Sequence, residues 1–402
     1  MSDFHQTGVV ATLHRLGKPD PERLESMLLP LCKDRPVALV LPSLFSEIEG
    51  PALDGIIEEL RKVPYLHEIV ISLDRADSTQ FARAREFFSR LPQHHRILWH
   101  DGPRLQSVYK SLEKEGLHLG AQGKGRGVWM AFGYILARGK SAIITIHDCD
   151  ILTYNREMLA RLIYPAMNPN FDYRFCKGFY SRITNRMYGR VTRLLMTPLI
   201  RSLKSIIGHH GFLEFLDSFR YVLAGEFAMD ADLARVNRVP DRGLEIGMLS
   251  EVYRNVTFRR ICQVDLAGNY DHKHKDLSRS DPDKGIMKMA VDICKSLFRT
   301  LAAEGVVLSA GHFRTLLVSY ERASEDHIER FHADAAINGL EFERHEEETV
   351  VEALCQAIRM AGEQYLEDPL GARLIPNWNR VTSAVPRLLP DLHGAVEADN
   401  KD

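Results

Sequence analysis

The chain has 402 residues, 45% of them hydrophobic, with 52 Lys and Arg against 54 Asp and Glu and a formal net charge of −2. This is a globular composition with enough chain for a sizeable core, in two domains or one large domain with an appended helical part. The balanced charge argues against a general nucleic-acid surface, and no apolar run approaches the roughly 20 residues that span a bilayer.

In chain order, Val37 to Pro42 reads as a first buried strand, followed by a polar turn over Ser43 to Gly50 and a helix from about Leu53 to Arg61. His67 to Ser72 reads as a strand, Ser78 to Leu91 as a helix and Arg96 to Trp99 as a short strand. A glycine-rich loop at 120–127 then leads to a helix from about Val128 to Ala137 and a β-branched strand ending at Asp148. Strands alternating with helices predict parallel βαβ units in a doubly wound α/β sheet, with ligands gathered at the carboxyl ends of the strands.

Beyond Asp150 the alternation weakens. Tyr154 to Tyr164 reads as helix, Tyr173 to Tyr180 as extended, 185–217 as helix broken near Pro198 and Gly208, and Phe258 to Leu266 as a late strand. From about Lys284 the pattern is amphipathic helix, including Lys284 to Ala303, Glu325 to Asn338 and Glu346 to Tyr365, with a frayed polar tail expected from about Leu392. The expected organisation is an N-terminal helical extension at 1–35, an α/β domain at 36–280 and a C-terminal helical region at 281–402.

The N-terminus, with His5, His14, Arg15 and Lys18, does not read as a signal peptide, so a cytoplasmic location is expected. The six cysteines show no CxxC spacing, which predicts reduced thiols rather than zinc or disulfides. Cys149 lies between Asp148 and Asp150, and strand alternation turns it away from them.

Asp148 and Asp150 close a strand-like run, where hard carboxylate oxygens suit Mg²⁺ or Mn²⁺ held jointly with a phosphorylated ligand. The same spacing recurs at Asp230-Ala-Asp232 and Asp281-Pro-Asp283 without that context. Gly120-Ala-Gln-Gly-Lys-Gly-Arg-Gly127 offers backbone N–H groups, a helix N-terminus and the Lys124 ammonium to phosphate, but not in P-loop order. Pro42-Ser-Leu-Phe-Ser-Glu47 and Ser72 lie at the same sheet edge, suited to a nucleobase. Between Asp172 and Lys204 eight Lys and Arg face one acid, a bias that suggests an anionic ligand. Within that block, Gly189, Arg190, Val191 and Thr192 join a bidentate cation to a hydroxyl. Glu226, in Leu223-Ala-Gly-Glu226, and Glu245, in Gly243-Leu-Glu-Ile-Gly247, place carboxylates in apolar surroundings, where they must be paired, ligating or catalytic. His272, His274 and Lys275 form a basic cluster after the late strand.

Taken in order, these segments resemble the glucosyl-3-phosphoglycerate synthase family, retaining glycosyltransferases of GT-A fold, over roughly residues 36–300. The resemblance implies a GT-A type, mainly parallel sheet with a C-terminal helical extension and a metal-dependent hexosyl transfer from a UDP-sugar to the 2-hydroxyl of 3-phosphoglycerate. It assigns Pro42, Ser43, Leu44, Glu47, Ser72, Lys124 and Asp148 to the nucleotide and Leu223, Ala224, Gly225 and Glu226 to the donor sugar. Asp150 and His272 would hold Mg²⁺ or Mn²⁺. Gly189, Arg190, Val191, Thr192, His274 and Lys275 would bind the acceptor, and Glu245 would lie near its hydroxyl, so that Glu245, Asp150 and Arg190 carry the chemistry. A homodimer is implied as well, with no nucleic-acid or membrane partner.

There are two departures from the family pattern, Arg193 where an acid is usual and the pair His274-Lys275 in place of Asn-Arg. Both fall on the acceptor side. The alternatives are a synthase pairing GDP-mannose or another nucleotide-sugar with glycerate, a sugar nucleotidyltransferase, and a non-catalytic nucleotide-sugar-binding protein.

Overall fold

The computed structural model describes residues 6, 8–239, 243–271, 285–371 and 374–401. Eight strands form one sheet: β1 (Ala11–Leu13), β2 (Val37–Leu44), β3 (Glu68–Asp74), β4 (His95–Trp99), β5 (Ile143–Ile146), β6 (Phe175–Tyr180), β7 (Phe227–Asp230) and β8 (Ile261–Ala267). Their order is β1-β8-β6-β7-β5-β2-β3-β4. Every pairing is parallel except those of β7 with β5 and β6. The strands are apolar on both sides because helices cover both faces. In β2, Val37, Leu39 and Leu41 enter one core while Ala38 and Val40 enter the other, as period-two alternation requires.

The doubly wound, mainly parallel sheet is therefore as expected, but several local expectations are corrected. The strand leading to the aspartates stops at Ile146, so Asp148 and Asp150 stand on the loop beyond it. The helix after the glycine loop starts at Lys124, not Val128, because Gly123 at φ 153° lets the chain turn in and its carbonyl accepts from Gly127 N at 3.0 Å. The segment 1–35 contributes β1 as well as the helix Pro21–Asp34. β7 is four residues long and falls below what alternation can reveal.

The expected break near Pro198 is absent. A π-helical stretch, Val191–Met196, runs directly into the helix Thr197–Ile207. Proline cannot bond the carbonyl four residues back, and the Tyr320 hydroxyl donates to that Leu194 carbonyl instead, at 2.7 Å.

The expected frayed tail is a helix, Leu388–Lys401, with Leu388, Leu392 and Val396 buried one turn apart. Its polar residues look solvated in sequence but have distant partners. Glu397 pairs with Arg96 at 2.9 Å and Asp399 with Arg104 at 2.7 Å, and the Asn400 amide both donates to and accepts from the backbone of Ile97 at 2.9 Å. β4 is an edge strand, and this amide covers part of its open edge. Farther up the tail, Trp378 stacks on Trp129 at 4.4 Å between ring centroids, clamping the helix that begins at Lys124. Among the described residues no helix is long and apolar enough to cross a membrane.

Candidate active site

The carboxyl ends of β2, β3 and β5 open towards one edge, where the helix Lys124–Arg138 presents its N-terminus. Lys124 Nζ lies 2.7 Å from Asp148 Oδ1 and 3.5 Å from Glu245 Oε1, so three residues from distant segments meet. Burial opposes the Lys124 charge, but Asp148 and Glu245 outweigh it and hold the ammonium above its ordinary range. Gly225 packs against the same aspartate. A Cβ on Gly225 would lie 2.7 Å from Asp148 Oδ2, so a larger residue there would displace the aspartate carboxylate.

Glu226 is fully buried and accepts from Tyr180 at 2.8 Å and Tyr270 at 2.6 Å. Burial and Asp148 raise its pKa against the opposing pull of the two hydroxyls and Lys124. Burial, Asp148, Glu47 and Glu226 push Asp150 up to about 7, with Lys124 opposing. Such crowding of hard carboxylates fits a divalent cation, which would offset their repulsion. Among the described residues no group of three His, Cys, Asp or Glu forms a complete metal site. His272, His274 and Lys275 lie outside the described residues.

On the nucleotide side, Pro42, Ser43 and Leu44 end β2, and Glu47 lies on the short helix Phe45–Ile48. Ser72, in β3, shares a 2.7 Å hydrogen bond with His100 Nε2, whose Nδ1 is 2.8 Å from the Tyr109 hydroxyl. Gly127 passes close enough that a Cβ there would lie 2.6 Å from Ser72 Oγ. Cys149 turns into the core, and burial raises its thiol far above the reactive range.

The acceptor-side residues have a different setting. Gly189, at φ 75°, leads into Arg190, and Val191 and Thr192 begin the π-helical stretch, a geometry frequent at functional sites. Thr192 Oγ1 is buried with no hydrogen-bond partner among the described residues. Arg190 donates to Glu347 at 2.9 Å and Glu346 at 2.8 Å, and Arg193 to Glu347 at 2.9 Å.

The basic block is thus largely balanced in three dimensions. Arg174 pairs with Asp230, Arg186 with Glu341 and Glu346, and Lys204 with Glu214 and Asp217. Asp230 also pairs with Arg35, which gives that second Asp-x-Asp copy a structural role.

Sequence reading missed His100, Tyr180, Tyr270 and above all Lys177, which is 1% exposed within β6. The signal was a lone lysine in the apolar run Phe175-Cys-Lys-Gly-Phe-Tyr180, counted instead with its basic neighbours.

A mainly parallel sheet with one inserted antiparallel strand, and an Asp-x-Asp loop after β5 contacted by a lysine from a glycine loop, define a glycosyltransferase of the GT-A type. No protein-family model matches the sequence. The chain is 47% identical over 403 residues to glucosyl-3-phosphoglycerate synthase of Persephonella marina, covering 100% of both chains. It is 40% identical over 406 residues to the enzyme of that name from Methanococcoides burtonii, covering 100% of this chain and 98% of the relative. The chain belongs to the glucosyl-3-phosphoglycerate synthase family. Its fold is similar to a crystal structure of the Mycobacterium tuberculosis synthase in complex with Mn²⁺, UDP-glucose and phosphoglyceric acid, with a TM-score of 0.54, 20% identity, and coverage of 75% of this chain and 89% of that one.

Proposed function

We propose that this chain transfers glucose, with retention, from UDP-glucose to the 2-hydroxyl of 3-phosphoglycerate. The observation that carries this reading is the meeting of Lys124, Asp148 and Glu245, which joins the donor-side loops to the carboxylate expected beside the acceptor. The full-length relatives are named for the product, glucosyl-3-phosphoglycerate, and the Mycobacterium tuberculosis synthase of similar fold is in complex with UDP-glucose and phosphoglyceric acid, which supports this pair.

Pro42, Ser43, Leu44, Glu47 and Ser72 hold the nucleotide, Asp148 its ribose side, and Leu223, Ala224, Gly225 and Glu226 the sugar. Asp150, with His272, would hold Mg²⁺ or Mn²⁺, which when bound neutralises the diphosphate and polarises its oxygens. Lys124 and its helix N-terminus stabilise the charge that grows on the departing diphosphate. Gly189, Arg190, Val191 and Thr192, with His274 and Lys275, bind the acceptor anion, and Glu245 orients its hydroxyl. The new C1–O bond forms on the face the diphosphate oxygen leaves, so that oxygen takes the hydroxyl proton. Catalysis then rests on positioning.

Arg193, which departs from the acidic residue of the family pattern, is paired with Glu347 of the helix Arg344–Glu367 at 2.9 Å, so a carboxylate still lies beside this position. A donor-by-acceptor matrix with UDP-glucose and GDP-mannose against 3-phosphoglycerate and glycerate, in Mg²⁺ and Mn²⁺, is expected to give the highest kcat/KM for UDP-glucose with 3-phosphoglycerate. Preference for GDP-mannose with glycerate would overturn this reading, and UDP-glucose binding without turnover would make the chain a binding protein.

The reading assigns the catalytic unit to 36–280 and packing or assembly roles to 1–35 and 281–402. A homodimer is part of this reading, on the family resemblance alone. Light scattering should give twice 45.8 kDa, and a monomer mass refutes it. All six cysteines are free, which supports a reducing, cytoplasmic setting.

A further inference from the structure

Lys177 is among the largest fully buried side chains of the protein, in the middle of a sheet where a methionine would fill the same space without carrying a charge. An ammonium taken out of water must be compensated by what it touches. Its Nζ donates to the Ala224 carbonyl at 2.6 Å. Burial pulls its pKa down to about 8, Glu245, Glu226 and Asp148 act to raise it, and Lys124 acts with burial.

The turn it touches is gripped repeatedly by β6. Gly178 N donates to the Glu226 carbonyl at 2.9 Å, and the Tyr180 hydroxyl donates to the Glu226 carboxylate. Between the two bonded carbonyls, of Ala224 and Glu226, lies Gly225, which packs on Asp148, and Asp148 in turn bonds Lys124. A chain of contacts therefore runs from the buried lysine through one peptide to the aspartate and lysine of the site. Were the Ala224 carbonyl released, the Gly225 peptide could rotate and Asp148 would lose the surface that sets its distance from Lys124.

We propose that Lys177 is a positioning residue of the transfer site, whose ammonium fixes the Ala224 carbonyl and so sets the Leu223–Glu226 turn against Asp148. This rests on the transferase reading above. The lysine acts on geometry needed at the moment of reaction, so its loss appears in kcat; misplacement of about 1 Å costs on the order of 100-fold. Burial disfavours the charge, so its removal is expected to offset the lost bond to the Ala224 carbonyl and to leave stability undiminished, as happens when a group is kept for function at the expense of the fold.

The experiment compares Lys177→Met and Lys177→Gln with the wild type by steady-state kinetics, varying each substrate in turn, and by thermal unfolding at pH 7. Lys177→Met is expected to lower kcat by about 100-fold with both KM values within about threefold of wild type and with Tm equal or higher. Lys177→Gln, whose amide can still donate to the carbonyl, is expected to recover about tenfold of that loss. The proposal is overturned if Lys177→Met keeps kcat within about threefold of wild type, if either variant fails to fold or loses Tm, or if Lys177→Gln is no better than Lys177→Met. Wild-type turnover in the same assay tests the transferase reading separately, and if another donor and acceptor prove correct the same ratios are read with that pair.

Discussion

Asp150→Asn should abolish metal-dependent transfer and at the same time make the metal-free protein more stable. The Asp150 carboxyl is pushed from an ordinary value of 3.8 up to about 7 by burial first and then by Asp148. A folded-state pKa above the unfolded one favours the neutral form. That contribution is fully present below the ordinary carboxyl range and is lost as pH rises through about 7. Above it the metal-free site carries an unfavourable charge worth up to ~4 kcal/mol at about 1.4 kcal/mol per pKa unit. Asparagine removes that charge, so the Tm of the metal-free variant should exceed that of wild type at pH 8 and the gap should close towards pH 4. A divalent cation binds the deprotonated group, so wild-type metal affinity should rise with pH up to about 7. Loss of several kcal/mol of transition-state charge stabilisation lowers kcat by on the order of a thousandfold. Thermal unfolding with and without Mn²⁺, beside turnover, reads both effects. Near-normal activity, or a Mn²⁺-dependent Tm shift that survives in Asp150→Asn, would remove Asp150 from the metal site.

The parts of this site that sequence revealed are those whose signal is local. Asp148-Cys-Asp150 follows a β-branched run, and Lys124 stands in a glycine loop; each can be recognised within ten residues. Glu245 is also locally conspicuous, but its meeting with Lys124 required the fold, because 121 residues separate them. What escaped notice depends on distant partners. The bias of the 172–204 block pointed to an anion, yet Glu346 and Glu347 answer much of it from a helix more than 150 residues away. Asn400 and Asp399 look like a solvated tail because their partners, Ile97 and Arg104, are 303 and 295 residues distant. Lys177 hid for the opposite reason. Its own neighbourhood is apolar and argues for a strand, while its charge was averaged with cations whose side chains go elsewhere.

Arg190→Ala should raise the acceptor KM by roughly 10- to 100-fold, the worth of a charge-assisted hydrogen bond of about 1.5–3 kcal/mol, while leaving the donor KM within about threefold. The structure adds a second effect. Arg190 is clasped by Glu347, which is 5% exposed, and by the more open Glu346 at 46%. Removing the guanidinium leaves the buried Glu347 with Arg193 as its one remaining cation among the described residues, so Tm should also fall. A weaker acceptor KM by itself would then not separate an arginine that binds the anion from one that merely ties the π-helical stretch to the helix Arg344–Glu367. Arg190→Lys separates them. Lysine keeps a positive charge against Glu347 and should recover most of the lost Tm, but it cannot reproduce the planar fork, so the acceptor KM should stay high. If Arg190→Lys restores both quantities together, charge alone suffices and the fork has no part in recognising the acceptor. If neither variant moves the acceptor KM while both move Tm, Arg190 is a clasp of the fold and the acceptor anion is bound elsewhere. A donor KM that rises more than the acceptor KM would place Arg190 on the nucleotide-sugar side.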